Sequence, residues 1–238
     1  MPRPSSLARR AAGEERRGRA LPDNARAFRR RLLAWYGRHQ RPLPWRRTRD
    51  PYAILVSEIM LQQTQVARVE DYWTRFLRRY PTVEHLAEAP ASAVRESWDG
   101  LGYYARARNL HAAARHVARK RDGAFPATVD GLRALPGIGP YTAAAVASIA
   151  FGADVGTVDT NVARVLSRVF RVRGRARSAA RGRRLWRLAG ALVPRGRSGD
   201  WNQALMDLGA TVCTARAPAC PACPVRTACR SGSRYAVK

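Results

Sequence analysis

All four cysteines of the chain fall within 17 residues, as Cys213-x6-Cys220-x2-Cys223-x5-Cys229. Pro218, Pro221 and Pro224 interrupt the same stretch and force tight turns, so the segment can wrap one small inorganic centre. Clustering of this kind in a chain without a secretory leader points to metal rather than to disulfides. A zinc ribbon usually presents two Cys-x-x-Cys knuckles far apart, and only one short pair exists here. Cysteine-ligated iron–sulfur cubanes accept such uneven spacings. The pattern therefore favours a [4Fe-4S] cluster on Cys213, Cys220, Cys223 and Cys229 over zinc or free thiols. Its expected role is structural, stapling a C-terminal loop and presenting Arg226 and Arg230 to phosphate.

Upstream of that loop the pattern is helical throughout, and the alternating β-branched runs that mark strands are missing. Asp50-Pro51 is a good helix start, with Asp as N-cap and Pro at the first helical position. It opens an apolar run expected to be helical from Tyr52 to Val66. Further helices are expected at 25–37, 68–79, 91–98, 103–120, 127–133, 139–151, 160–170, 180–193 and 200–212. The fold class is all-α, in one domain or two interleaved lobes. The chain divides into a flexible basic arm (1–24), a helical domain (25–212), the cysteine loop (213–230) and a tail (231–238).

Lys and Arg number 44 against 17 Asp and Glu, a formal charge of +27. Cations in that excess repel one another unless they meet a polyanion, and nucleic acid is the first candidate. Almost all of the positive charge is arginine, since only Lys120 and Lys238 are lysines. Residues 171–199 carry ten Arg and no acid; they read as a solvated face or, in this chain, as phosphate contacts. No segment suits a bilayer: the longest apolar stretch, Tyr141 to Phe151, is about half the ~20 residues a membrane helix needs.

Two further features bear on chemistry. Leu135-Pro136-Gly137-Ile138-Gly139 lies between two expected helices, giving a helix-hairpin-helix over about 127–151. Its glycines allow a tight hairpin and leave backbone N–H groups free to receive a phosphate oxygen, although a simple turn would look the same. Two carboxylates also stand out. Glu58 sits alone in an apolar run. It is either the wet face of its helix or a buried acid whose pKa is raised. Asp159, before the apolar face Val162, Val165, Leu166 and Val169, reads as an N-cap. A raised acid with an ionised carboxylate is also the usual equipment for breaking a glycosidic bond.

The hairpin, the downstream Val158-Asp159-Thr160-Asn161-Val162 and the cysteine ending occur in the same order in the endonuclease III superfamily of DNA glycosylases. Within it, Ser57-Glu58-Ile59-Met60-Leu61-Gln62-Gln63-Thr64-Gln65-Val66 resembles the MutY adenine glycosylases. So do Gly100-Leu101-Gly102-Tyr103-Tyr104-Ala105-Arg106 and Asn202-Gln203-Ala204-Leu205-Met206-Asp207. The resemblance covers about residues 25–230. It implies a monofunctional glycosylase removing adenine opposite 8-oxoguanine or guanine, acting as a monomer on duplex DNA and located in the bacterial cytoplasm at the nucleoid. Glu58 would protonate adenine at N7 and Asp159 would stabilise the oxocarbenium-like sugar, with Tyr141 assisting. Bifunctional relatives carry a Schiff-base lysine where Tyr141 stands. Gln63 would wedge into the stack, Leu101 and Tyr103 would meet the opposing base, and Gly137, Gly139 and Asn161 would bind DNA.

Two departures keep other readings open. MutY proteins usually continue into a MutT-like domain, and this sequence ends shortly after Cys229. They also often read Asp-Gly-Asn where this chain has Asp159-Thr160-Asn161. A thymine or uracil mismatch glycosylase of the same superfamily shares the fold and both carboxylates. A non-catalytic DNA-binding iron–sulfur module is the third possibility.

Overall fold

The computed structural model describes residues 21–176 and 178–232. Most of the expected basic arm and tail lies outside them. The described residues form eleven α-helices with short 3-10 and π turns and no strand, as the all-α reading requires.

The chain builds two apolar cores. α1 (Ala25–His39) lays Phe28, Leu32 and Tyr36 into the second core, and its half-buried Arg29 donates to the carbonyls of Leu192 and Ala191. The chain then crosses to the first core and stays there for α2 (Pro51–Met60), α3 (Val66–Arg79), α4 (Val83–Glu88), α5 (Ala91–Glu96), α6 (Ala105–Arg121), α7 (Val129–Arg133) and α8 (Pro140–Ala150). It returns with α9 (Thr160–Phe170), α10 (Ala179–Leu192), α11 (Ser198–Asp207) and the cysteine segment. Both ends of the described chain thus share one lobe. Asn24 Nδ2 donates to the Ala228 carbonyl at 2.6 Å and closes α1 onto the cysteine segment.

α2 is the centre of the first lobe. Asp50 accepts from Tyr52 N at 2.9 Å and Pro51 occupies the first turn, as expected of an N-cap. Every residue from Tyr52 to Met60 is buried. Each large apolar side chain there contributes roughly 2 kcal/mol, so no face of α2 is left for solvent.

Three departures from expectation exceed a few residues or add an element. The helix expected to run on to Val66 ends at Met60, and α3 begins anew at Val66. The break surrounds Gln63, whose φ is 58°, a left-handed conformation incompatible with a continuing helix. α4 is an additional helix, capped by Thr82, which accepts from His85 N. The helix expected over 200–212 stops at Asp207 and continues as a π turn, Leu208–Val212.

Candidate active site

The lobes enclose a cleft of about 660 Å³. Glu58 and Tyr141 enter from α2 and α8 of the first lobe. Asp159, Gln203 and Met206 enter from the start of α9 and from α11. The two carboxylates singled out in the sequence therefore share one cavity.

Glu58 is the buried acid, not a wet-face residue; it is 5% exposed. Burial pushes its pKa up to about 7, reinforced by the charge of Asp159 and opposed by a hydrogen bond to Tyr141 and the charge of Arg46. The Tyr141 hydroxyl also points at Met206 Sδ, 3.7 Å away. Burial and the two neighbouring carboxylates hold it neutral. At neutral pH the cleft thus contains a carboxyl group near its midpoint, the range in which a proton donor works best.

Asp159 is held differently. It caps α9, its Oδ1 accepting from Val162 N at 2.6 Å, while Asn161 Nδ2 donates to its Oδ2 at 3.3 Å. Burial raises its pKa on balance, opposed by these hydrogen bonds and by the charge of Arg164. The approach to the cap is fixed by Asn202. Its Oδ1 accepts from Thr157 N at 3.1 Å, and its amide donates to Ser148 Oγ and the Val155 carbonyl, each at 2.9 Å. Asn161 itself is committed to orienting Asp159 and to receiving Arg164 Nη2 at 2.6 Å.

Sequence reasoning passed over a third carboxylate. Asp207 on α11 is wholly buried. It lies 2.6 Å from Arg41 Nη2 and 2.7 Å from Arg46 Nη1, and both arginines line the cleft. The signal was available: Asp207 interrupts the apolar run Ala204-Leu205-Met206 much as Glu58 interrupts its own.

The other expected residues divide by position. Gln63 is exposed at the cleft rim. Tyr103 is 61% exposed with φ 49°. Leu101 is turned into the core, 5% exposed. The hairpin joins α7 to α8 as expected, with Leu135 and Ile138 buried beneath exposed Gly137 and Gly139. Gly137 has φ 73°, and a Cβ there would fall 2.4 Å from Asn109 Cβ, so no larger residue fits.

Cys213, Cys220, Cys223 and Cys229 line one hollow with Val169, Leu208 and Val225. Among the described residues no group of three or more His, Cys, Asp and Glu side chains is arranged to hold a metal ion. Four thiols spread around a largely apolar hollow suit a larger inorganic cluster. Arg168 and Arg226 on the same hollow would offset its negative charge; Arg168 Nη1 lies 3.5 Å from Cys213 Sγ.

Residues 56–190 match the model of the HhH-GPD superfamily base excision DNA repair proteins. An adenine DNA glycosylase of Rattus norvegicus is 49% identical over 217 residues, 87% of this chain and 42% of the relative. One from Mycolicibacterium smegmatis is 48% identical over 195 residues, 82% of this chain and 66% of the relative. The chain thus spans about two fifths of the mammalian relative's length. With relatives both mammalian and mycobacterial, the similarity does not support the expected bacterial source. Among solved structures, a thermostable thymine-DNA glycosylase superposes with a TM-score of 0.80 at 32% identity, covering 89% of this chain and 97% of that one. An endonuclease III trapped covalently on DNA superposes with a TM-score of 0.74 at 25% identity, covering 88% and 95%. Among the described residues no helix is long and apolar enough to cross a membrane.

Proposed function

Because the chain belongs to the HhH-GPD superfamily of base excision DNA repair proteins, we propose that it is a monofunctional DNA glycosylase removing adenine mispaired with 8-oxoguanine or guanine. The observation that carries this reading is the convergence of Glu58, buried with its pKa near 7, and Asp159 on one cleft between the lobes.

The chemistry follows from the two environments. The target nucleotide must leave the stack, because its glycosidic bond is inaccessible inside a duplex. Glu58 in its acid form gives its proton to N7 of the extruded adenine. The C1′–N9 bond then breaks with its electron pair passing to the base, and the sugar is left as an oxocarbenium ion. Asp159, kept polar by Val162 N and Asn161, supplies the opposing negative charge. Water adds to C1′ and its proton returns to a carboxylate of the cleft, leaving an abasic site. Tyr141 cannot form a Schiff base, so the strand stays intact.

DNA would lie across the surface carrying Gln63, Tyr103, Gly137 and Gly139. The hairpin would receive a phosphate without reading sequence. Leu101 would support the Tyr103 loop from beneath. Cys213, Cys220, Cys223 and Cys229 would hold a [4Fe-4S] cluster, whose contribution is to cross-link the C-terminal segment. Anaerobically purified protein should then absorb broadly near ~400 nm, and a colourless protein with one equivalent of zinc would reject the cluster.

The test of the reaction is a panel of duplexes carrying A:8-oxoG, A:G, T:G or U:G, incubated and then treated with alkali. Breakage only at adenine after alkali supports the proposal. Breakage confined to T:G and U:G would assign the chain to the thymine branch, whose fold is similar. Glu58→Gln should abolish release; equal release by variant and parent removes Glu58 from its role.

A further inference from the structure

Two exposed residues, Gln63 and Tyr103, hold left-handed backbones, with φ of 58° and 49°. Non-glycine residues in that region cost on the order of 1 kcal/mol and persist only where surrounding structure imposes them. One side chain that the chemistry above does not use, Arg106 on α6, reaches the turns that carry both of them.

Arg106 is 7% exposed. Among the described residues no carboxylate pairs with it. Its two terminal nitrogens are instead surrounded by neutral acceptors, while the buried Nε has no hydrogen-bond partner. Nη1 donates to the carbonyls of Ile59 at 3.0 Å and Met60 at 2.8 Å, and also to that of Gln62. Nη2 donates to Thr64 Oγ1 at 3.1 Å and to the carbonyls of Leu101 at 3.0 Å and Gly102 at 3.1 Å. The partners belong to two places only: the end of α2 with the Gln62–Thr64 turn, and the Leu101–Gly102 turn. Arg106 also lies 5.5 Å from the Trp98 ring centroid and 5.7 Å from that of Tyr103. A buried cation without a counter-ion is costly unless its donors are occupied. Displacing either turn would strip those donors, so the guanidinium ties both turns to one geometry. Lysine, a point charge with three donors, cannot span the same acceptors.

We propose that Arg106 is the positioning residue that holds Gln63 and Tyr103 as a rigid pair of prongs for opening the base stack around the target nucleotide. The proposal rests on the glycosylase reading for its substrate but not for its readout.

The experiment uses the whole chain with its cluster. Duplexes carry 2-aminopurine, whose fluorescence rises on unstacking, in place of the target adenine. Single-turnover release of adenine is measured in parallel from an A:8-oxoG duplex and from a duplex in which the adenine is an unpaired bulge. Arg106→Lys should abolish the fluorescence rise and slow release from the paired duplex about a hundredfold. Release from the bulge should fall less than about threefold, because Glu58 and Asp159 are untouched and flipping is no longer demanded. Equal losses on both substrates, or a folded variant with the parent's fluorescence rise, would overturn the proposal. Where Arg106→Lys does not fold, Thr64→Val decides, removing one acceptor of the six. A loss of roughly fivefold confined to the paired duplex supports the clamp, and no selective loss rejects it. Should the parent protein release no base from any duplex, the glycosylase reading fails, while the fluorescence comparison still judges Arg106.

Discussion

Asp207 accepts two hydrogen bonds from the Arg46 guanidinium, 2.7 Å at Oδ2 and 2.8 Å at Oδ1. A wholly buried carboxylate on α11 thereby fixes, across the lobe boundary, a cation that acts on Glu58. Asp207→Asn keeps the shape and removes the charge. Breaking a buried pair by neutralising one partner costs about 3 kcal/mol or more, read as a lower midpoint in denaturant unfolding. Arg46, no longer compensated, should also favour the Glu58 carboxylate, so the alkaline limb of base release should move to lower pH. An unchanged unfolding midpoint would refute the structural part of this argument, and an unmoved limb the electrostatic part.

The pKa of Glu58, raised to about 7, sets a pH dependence of activity. Only the protonated form donates, so single-turnover release should fall tenfold per unit above about 7, and it should fall again at acid pH where Asp159, its own pKa raised by burial, takes up a proton. A flat profile to pH 9 would show that Glu58 is not the donor.

Stability should depend on the same group. Its folded pKa lies above its unfolded value of 4.5, so the folded state binds the extra proton between those two values and unfolding free energy declines with rising pH across that window. At 1.36 kcal/mol per unit, about 3 kcal/mol is lost by pH 8. Glu58→Gln should therefore be more stable than the parent at pH 8 and nearly equal to it at pH 4. Identical differences at both pH values would contradict the assignment.

Tyr141 occupies the cleft with both carboxylates. An amine placed there by Tyr141→Lys would sit beside an acid and a carboxylate and could attack C1′ as a nucleophile. The variant should be trapped covalently on mismatched duplex by borohydride, visible as a slower band on denaturing gels. Absence of trapping in a variant that still releases base would place position 141 out of reach of the sugar.

At Gly137 the positive φ and the proximity of Asn109 act together. Gly137→Ala must shift the hairpin, at a cost of about 1–3 kcal/mol. Affinity for duplex DNA should drop equally for matched and mismatched sequences, because a hairpin amide meets phosphate and not bases. A loss confined to the mismatch would reject that role.

Local chemistry made much of this legible in the residues themselves. Asp50-Pro51 starts α2, and Asp159 caps α9 with Val162, Val165, Leu166 and Val169 on its buried face. The hairpin and the clustered thiols also appear where the sequence places them. Each depends on neighbours within a few positions, whose side-chain hydrogen bonds and spacing do not need the rest of the fold.

What could not be read from the chain was decided at long range. Glu58 is equally a solvent-facing or a buried residue until α8 and the second lobe close over it. α2 breaks before the left-handed Gln63, and Arg106, far along the chain, satisfies its last carbonyls. Asp207 reads as one more helix residue until the fold brings Arg41 and Arg46 against it. The sequence by itself determined the helices, the caps, the hairpin and the spacing of the thiols. Tertiary structure alone decided which charges are dry and which face each other, because burial and Coulomb energy depend on distance through space.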